Sequence, residues 1–411
     1  MIKTIEVTGK EPIIMISMSR WDGDYSSAAI SLAKEFSKTN HVYYFDHPFT
    51  LKELVSQFRS PRIKNRLKSL LFGTNACRSV KGYPEKFHHV VPRVVLSINW
   101  MPKGFFHYFL LGFNERIFFS GLRKVLKEEK IDRFIFFNSY NPFYGRTLPK
   151  DLLKKAYFVY QSRDDISQSE YVSKHGVNLE REAILNADLS LATGKSLVKK
   201  LSRFGPKVSQ LPNAADIEIF KSNISWERPA ELKGITKKII GYTGNICHRV
   251  DYDLLYTVAK EHKDKVLVMV GPRNDLDKHT YDFEGLGNVI FTGAKNIRDL
   301  PAYLQYFDCT IIPFKMNELT KGIYPLKVNE YLAMGKPLVS TPFSPDIKEF
   351  GEVIYLAEHT DDFVKKIDQA IHEDNDELKT ARIELAKTSS WTNRVALFWK
   401  LLKNANEEQD N

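Results

Sequence analysis

Residues 322–341 read GIYPLKVNEYLAMGKPLVST, and this stretch decides how the rest of the chain is read. A turn-like opening leads into a helical run predicted over 325–334, Gly335 stops it, and the apolar strand PLVST follows. Lys327 and Glu330 stand three residues apart, hence on one helix face, where an ammonium and a carboxylate can address one ligand. Proline in the first turn is preorganised for a helix, whose free N–H groups attract anions. The pattern points to a phosphate near Lys327 and hydroxyls near Glu330. A surface ion pair on an amphipathic helix has the same spacing, so the surrounding chain has to separate the two readings.

Outward from this stretch, short β-branched or aromatic runs alternate with helical patterns, which argues for parallel sheets covered by helices. The first series of predicted strands is PIIMISM (12–18), HVYYFD (41–46), VVLSIN (94–99), RFIFFN (133–138), YFVYQS (157–162), LSLAT (189–193) and KVSQLP (207–212). A second series follows the polar segment 221–237: KIIGYTG, KVLVMVGP, NVIFTG, CTIIPF, PLVST and VIYLAE, with helices between. The expected fold is α/β, two doubly wound units in tandem, the first over 1–215 and the second over 216–390. An amphipathic tail helix is expected over 391–405.

In open α/β sheets, ligands bind outside the carboxyl ends of the strands. The loop GYTGNICHR (241–249) sits at such an end, with Gly244 allowing close backbone approach to a phosphate and Arg249 adding charge. A tight packing turn reads the same way. Gly271 and Arg273 end the next strand. Other motifs fail: TGKS (193–196) lacks the first glycine of a P-loop and reads as a helix start, and Asp251 and Asp253 open a helix, where aspartates cap. His88 and His89 lack a third metal ligand at usable spacing, and no G-x-S-x-G elbow is present.

Length and composition, with 411 residues, 43% hydrophobic and 27% charged, allow two cores of an ordinary globular kind. Three scattered cysteines imply neither a disulfide framework nor a zinc knuckle and fit a reducing cytoplasm. The first twenty residues hold an apolar run too short for a signal peptide, and no window suits a membrane span. Net charge is +10, unevenly spread: residues 51–150 hold about 19 Lys/Arg against about 6 Asp/Glu. Such a region implies an anionic partner, nucleic acid or a membrane surface. PRIKNRLKSLLF (61–72) favours the membrane. Read as one helix, it places Ile63, Leu67, Leu70 and Leu71 on one stripe and Arg62, Lys64, Arg66 and Lys68 around it. A helix packed on its own domain with a solvated basic face fits equally. The aromatic stretch NWMPKGFFHYFLLGF (99–113) is broken by Pro102, Lys103 and His107 and reads as interfacial.

Taken together these stretches resemble a GT-B glycosyltransferase of the bacterial polysaccharide branch, nearest to the xanthan-type glucuronosyltransferase and teichuronic acid groups. The resemblance rests on the 322–341 helix, on residues 184–220 with Pro212-Asn213-Ala214-Ala215-Asp216 at a hinge-like turn, and on the tail SSWTNRVALFWKLL. It implies two Rossmann-like domains facing a cleft, with the tail helix crossing back to the first. It also implies a nucleotide-sugar donor, most simply a UDP-sugar, with Lys327 on the diphosphate and Glu330 on the ribose. Gly244, Asn245, Arg249, Gly271, Arg273 and Tyr324 would complete the donor site, with no metal and no other cofactor. Many retaining relatives carry a second glutamate where Gly322 stands here, which leans the reading to inversion. The base is then expected at Asp164 or Asp165, with a lean to Asp165, although both could cap the next helix. Trp21, Asp22, Gly23 and Asp24 are expected on the acceptor side, a plain capped turn being the alternative. The expected acceptor is a lipid-linked saccharide, met by a cytoplasmic enzyme held at the inner membrane face by the basic helix 61–72. Rival readings are a UDP-sugar 2-epimerase of the same fold and, at greater distance, a nucleic-acid-binding protein, for which no helix-turn-helix or RRM-like signal is present.

Overall fold

The computed structural model describes every residue except 1–7, 23–26, 75, 170, 206–207, 275–279 and 411. The chain divides into two compact units. The first comprises the chain up to Thr193, Leu197–Pro212 and Arg394 onward, and the second Gly194–Ser196 with Asn213–Asn393.

The first unit is built on an eight-stranded sheet. Its strands are β1 (Ile13–Ser17), β2 (Val42–Phe45), β3 (Cys77–Ser79), β4 (Phe87–Val90), β5 (Phe134–Ser139), β6 (Ala156–Ser162), β7 (Leu189–Ala192) and β8 (Val208–Gln210). Their spatial order is β3-β4-β2-β1-β5-β6-β7-β8. All neighbours are parallel except β3 with β4. Every residue of β1, β2, β5 and β6 is buried, which is why these strands read as continuous apolar runs instead of alternating ones. The order reverses at β1, where the loops after β1 and β5 part to opposite faces.

The second unit carries a six-stranded sheet, β11-β10-β9-β12-β13-β14. It comprises β9 (Ile239–Thr243), β10 (Val266–Val270), β11 (Val289–Gly293), β12 (Cys309–Ile312), β13 (Leu338–Ser340) and β14 (Tyr355–Leu356), parallel throughout. Here the reversal falls between β9 and β12. The tail helix Trp391–Asp410 joins the first unit through Phe398, fully buried with its ring 4.9 Å from Phe36 and 5.4 Å from Phe137.

Two expectations are corrected. Residues 94–99 form no strand: Val95 makes only an isolated bridge to Thr50, and β4 at Phe87–Val90 takes the sheet position instead. The basic segment 61–72 is not one helix but two short ones, Pro61–Lys64 and Leu67–Phe72. Between them Arg66 is buried and bonded to Asp22, so the continuous stripe the spacing suggested is cut. Ile63 and Leu70 pack with Phe49, Leu54 and Val91 in a small core of their own. Among the described residues no helix is long and apolar enough to cross a membrane.

Candidate active site

The second unit's switch point gathers the predicted donor-side residues. β9 ends at Thr243, and the chain then runs through Gly244 and Asn245. Gly244 has φ +129, a left-handed conformation that side chains rarely adopt. A Cβ built there would lie 2.3 Å from Cε of Lys327, so the lysine's end occupies the space glycine leaves open. The second glycine loop packs against the first: Gly244 N–H donates to Val270 O at 2.7 Å, and a Cβ on Gly271 would lie 2.0 Å from the Gly244 carbonyl. Gly271 is therefore required by backbone approach, and Gly244 by its positive φ together with the lysine end packed on it.

Lys327 stands in the first turn of the helix Leu326–Ala333, with Pro325 preceding it as the sequence predicts. Tyr331, one turn further on, clamps this helix to β9: its hydroxyl accepts from Thr243 N–H at 2.9 Å and lies 3.3 Å from the Thr243 carbonyl. Sequence reasoning passed over Tyr331, although its spacing of four from Lys327 put it on the ligand-side face. It also passed over Asn329, buried on the same helix with neither amide atom hydrogen-bonded.

The electrostatics here are dominated by two neighbouring cations and a buried carboxyl. The Lys327 ammonium lies 5.6 Å from the Tyr242 ring centre. Burial lowers its pKa, Glu330 offsets this, and the like charge of Arg249 lowers it again. Two cations held at one loop repel each other until an anion arrives between them. Arg249 is positioned by a seam to the segment after β12, with Val250 bridged to Phe314 and the Arg249 carbonyl accepting from Lys315 N–H at 2.9 Å. Glu330 is buried, and burial pushes its carboxyl up to about 7 against the partial opposition of Lys327. Asn245 is exposed, its carbonyl accepting from the Tyr242 hydroxyl at 3.0 Å. Arg273 is bridged by backbone to Ile246, and its guanidinium lies 4.2 Å over the Phe291 ring. Tyr324 is buried just ahead of the helix. The structure thus brings all eight predicted donor-side residues to one end of one sheet or to the helix beside it.

In the first unit the predicted residues are differently engaged. Asp165 caps the turn Ile166–Gln168, accepting from Ser167 N–H at 3.0 Å and from Lys200 Nζ at 2.6 Å. Burial alone would raise its pKa, but the Lys200 and Ser167 hydrogen bonds outweigh burial and hold the carboxyl below its ordinary value. Its side chain is thereby engaged as a cap, the alternative that the sequence also offers for it. Asp164, its neighbour at the carboxyl end of β6, is exposed. Asp22 pairs with both Arg62 and Arg66; burial raises its pKa, and these two guanidinium groups bring it below the ordinary range. Trp21 is wedged against His89, with ring centres 5.2 Å apart, and against Tyr83, while its backbone N–H donates to Asp46 Oδ1. Asp46 in turn lies 2.7 Å from His89 Nε2. Asp22 and Trp21 are accordingly anchors of the first loop, and Gly23 and Asp24 lie outside the described residues. Asp251 caps its helix by accepting from Leu254 N–H at 3.1 Å, as its position predicts.

Two doubly wound units, the second with a cationic loop beside a Lys–Glu helix, define the GT-B fold. Comparison with known proteins agrees. Residues 237–373, which hold the whole of this site, match the family "Glycosyl transferases group 1". Over 214 residues the chain is 28% identical to TuaH of Bacillus subtilis, named a candidate teichuronic acid biosynthesis glycosyltransferase. The match takes in 51% of this chain and 53% of TuaH, so the chain spans about half the length of that curated relative. Among solved structures it is similar to sucrose-phosphate synthase of Thermosynechococcus elongatus, with TM-score 0.67, 12% identity and coverage of 96% and 99% of the two chains. It is also similar to HepE of Anabaena, solved with UDP and glucose, with TM-score 0.60, 15% identity and coverage of 96% and 100%.

Two outcomes are expected from this geometry. Gly244→Ala should cost on the order of 2 kcal/mol in denaturant unfolding, and only roughly 1 kcal/mol in a Lys327→Ala background, where backbone strain remains but the clash is gone; equal costs in both backgrounds would show that Lys327 does not fill that space. The second concerns Glu330. Between its ordinary value of 4.5 and about 7 the folded chain holds a proton the unfolded chain has lost. This group's favourable contribution is therefore present at low pH and is lost as pH rises through that window. Glu330→Gln should gain stability relative to wild type from about pH 4.5 to about pH 8, on the order of 1–3 kcal/mol, read from unfolding midpoints across pH.

Proposed function

We propose that this chain is a glycosyltransferase that moves a sugar from a UDP-sugar to a lipid-linked or saccharide acceptor in cell-surface polysaccharide synthesis. The observation that carries the reading is the Lys327 ammonium lodged on Gly244 beside Arg249, with buried Glu330 one turn along the same helix. Two cations and a helix N-terminus suit a diphosphate, and a carboxylate suits vicinal ribose hydroxyls. The name of TuaH supports the polysaccharide setting, and the UDP in HepE supports the nucleotide. In this reading the protein works at the cytoplasmic face of the cell membrane, where the polar donor and a lipid-linked acceptor meet.

The transfer is read as a direct displacement with inversion. A carboxylate takes the acceptor hydroxyl's proton, the oxygen attacks the anomeric carbon, and the bond to UDP breaks with its electron pair going to the diphosphate. Lys327, Arg249 and the helix N-terminus stabilise that developing charge without a metal ion. The base role falls on Asp164, whose carboxylate is exposed, since Asp165 is occupied by Lys200 and Ser167.

Calorimetry with UDP, GDP and ADP in EDTA should show UDP binding that Glu330→Ala weakens at least about ten-fold, the worth of a charge-assisted hydrogen bond; binding of none of the three would end the donor-site reading. Asp164→Asn should bind UDP as wild type does yet transfer at least about a hundred-fold more slowly, whereas Asp165→Asn should lose stability first. Epimerised UDP-sugar appearing without any acceptor would favour the 2-epimerase instead.

A further inference from the structure

The helix Phe105–Glu128 buries one face, with Leu111, Phe118 and Leu122 in the core of the first unit. Its opposite face begins with aromatic rings in open solvent. Phe105 is 78% exposed, Phe106 73% and Phe109 64%, and Phe113 follows one turn later, also exposed. Just ahead of the helix, Trp100 is 73% exposed. At the helical repeat, positions 105, 109, 113, 116, 120 and 124 share one stripe, so the rings pass into the exposed cations Arg116 and Lys124 along the same face.

The rings are held, not trailing. Phe105 stacks on Phe109 at 6.4 Å. Trp100 donates its indole N–H to the Ser97 carbonyl at 2.9 Å, which leaves an apolar ring outward with its polar atom already bonded. The Trp100 carbonyl accepts from Lys174 Nζ at 2.7 Å, so an ammonium stands beside the rings, with exposed Lys103 between Trp100 and the helix. From Arg93 to Asn114 the sequence contains no carboxylate, and the next one, Glu115, is buried against Arg146.

We propose that this aromatic face, and not the segment 61–72, is the surface by which the protein docks on an anionic lipid bilayer. The partner follows from charge. A second copy would bring Lys103 and Arg116 against their own equivalents, which repel, whereas anionic headgroups accept the cations while the rings enter the boundary between headgroup and acyl chain. Segment 61–72 offers less: its Arg62 and Arg66 are paired with Asp22, its Ile63 and Leu70 face inward, and its exposed apolar side chains are Leu71 and Phe72 alone. The docking surface rests on the membrane setting of the proposed function and adds to it the residues that touch lipid.

The test is co-sedimentation of the full chain with vesicles of phosphatidylcholine alone and of phosphatidylcholine with about one third phosphatidylglycerol. Wild type should bind the anionic vesicles more tightly, by about five-fold for each cation at the surface. Combined Phe105→Ala, Phe106→Ala and Phe109→Ala should lower that binding at least about ten-fold while leaving UDP calorimetry unchanged. Combined Lys64→Gln and Lys68→Gln should keep most of it. Equal sedimentation of wild type and the aromatic variant, or absence of wild-type binding, would overturn the proposal. So would a change of oligomeric state in the aromatic variant, read by light scattering, without a change in vesicle binding. Failure of UDP binding in wild type would break the donor-site reading alone, because the vesicle result does not depend on nucleotide.

Discussion

The end of the Lys327 side chain occupies the space that a side chain at position 244 would take. That contact is possible only because β9 is followed by a glycine of positive φ, and it sets how near the helix Leu326–Ala333 comes to the strand ends. Tyr331 locks the same approach through Thr243, and Gly271 allows the second loop to back the first. The cost is electrostatic. An ammonium and a guanidinium are gathered where burial disfavours charge, and a buried carboxyl beside them sits near neutrality in its titration. A site strained in this way is relieved by a ligand that carries negative charge and offers hydroxyls, which links the packing of the second unit to its proposed chemistry.

The first unit spends its charged residues differently. Asp22 holds Arg62 and Arg66, Asp165 holds Lys200, and Asp46 holds His89, so the segments after β1, β2 and β6 are each pinned by a carboxylate that a sequence reader could take for a catalytic one. What stays exposed is the instructive remainder: Asp164 at the end of β6, and the aromatic face ahead of and along the helix Phe105–Glu128. Large apolar side chains left in solvent on a helix whose other face is well buried mark a surface that meets something.

The fold was legible because its strands are buried on both faces. Runs such as IIMIS, FIFFNS and IIGYT have no polar alternation to confuse with a half-exposed sheet, and helical patterns separate them. The short strand Phe87–Val90 was hidden because His88 and His89 interrupt its apolar character. The latter is buried only because Asp46 waits opposite. Residues 94–99 had better β composition, yet the sheet position was already taken, and composition does not encode competition for a place.

Lys327, Glu330 and the glycine loop could be read from sequence because they depend on local rules: helical spacing, the glycine needed for close backbone approach, and proline at a helix start. The two sheets and the grouping of Lys327, Glu330 and the glycine loop were determined at that level. Which acid is spent on structure was not, since Asp164 and Asp165 are adjacent and alike until Lys200, thirty-five residues on, selects one of them. Nor could spacing show that the basic segment 61–72 is broken where Arg66 turns in to Asp22. Burial and pairing are properties of distant segments brought together, and only the tertiary structure decides them.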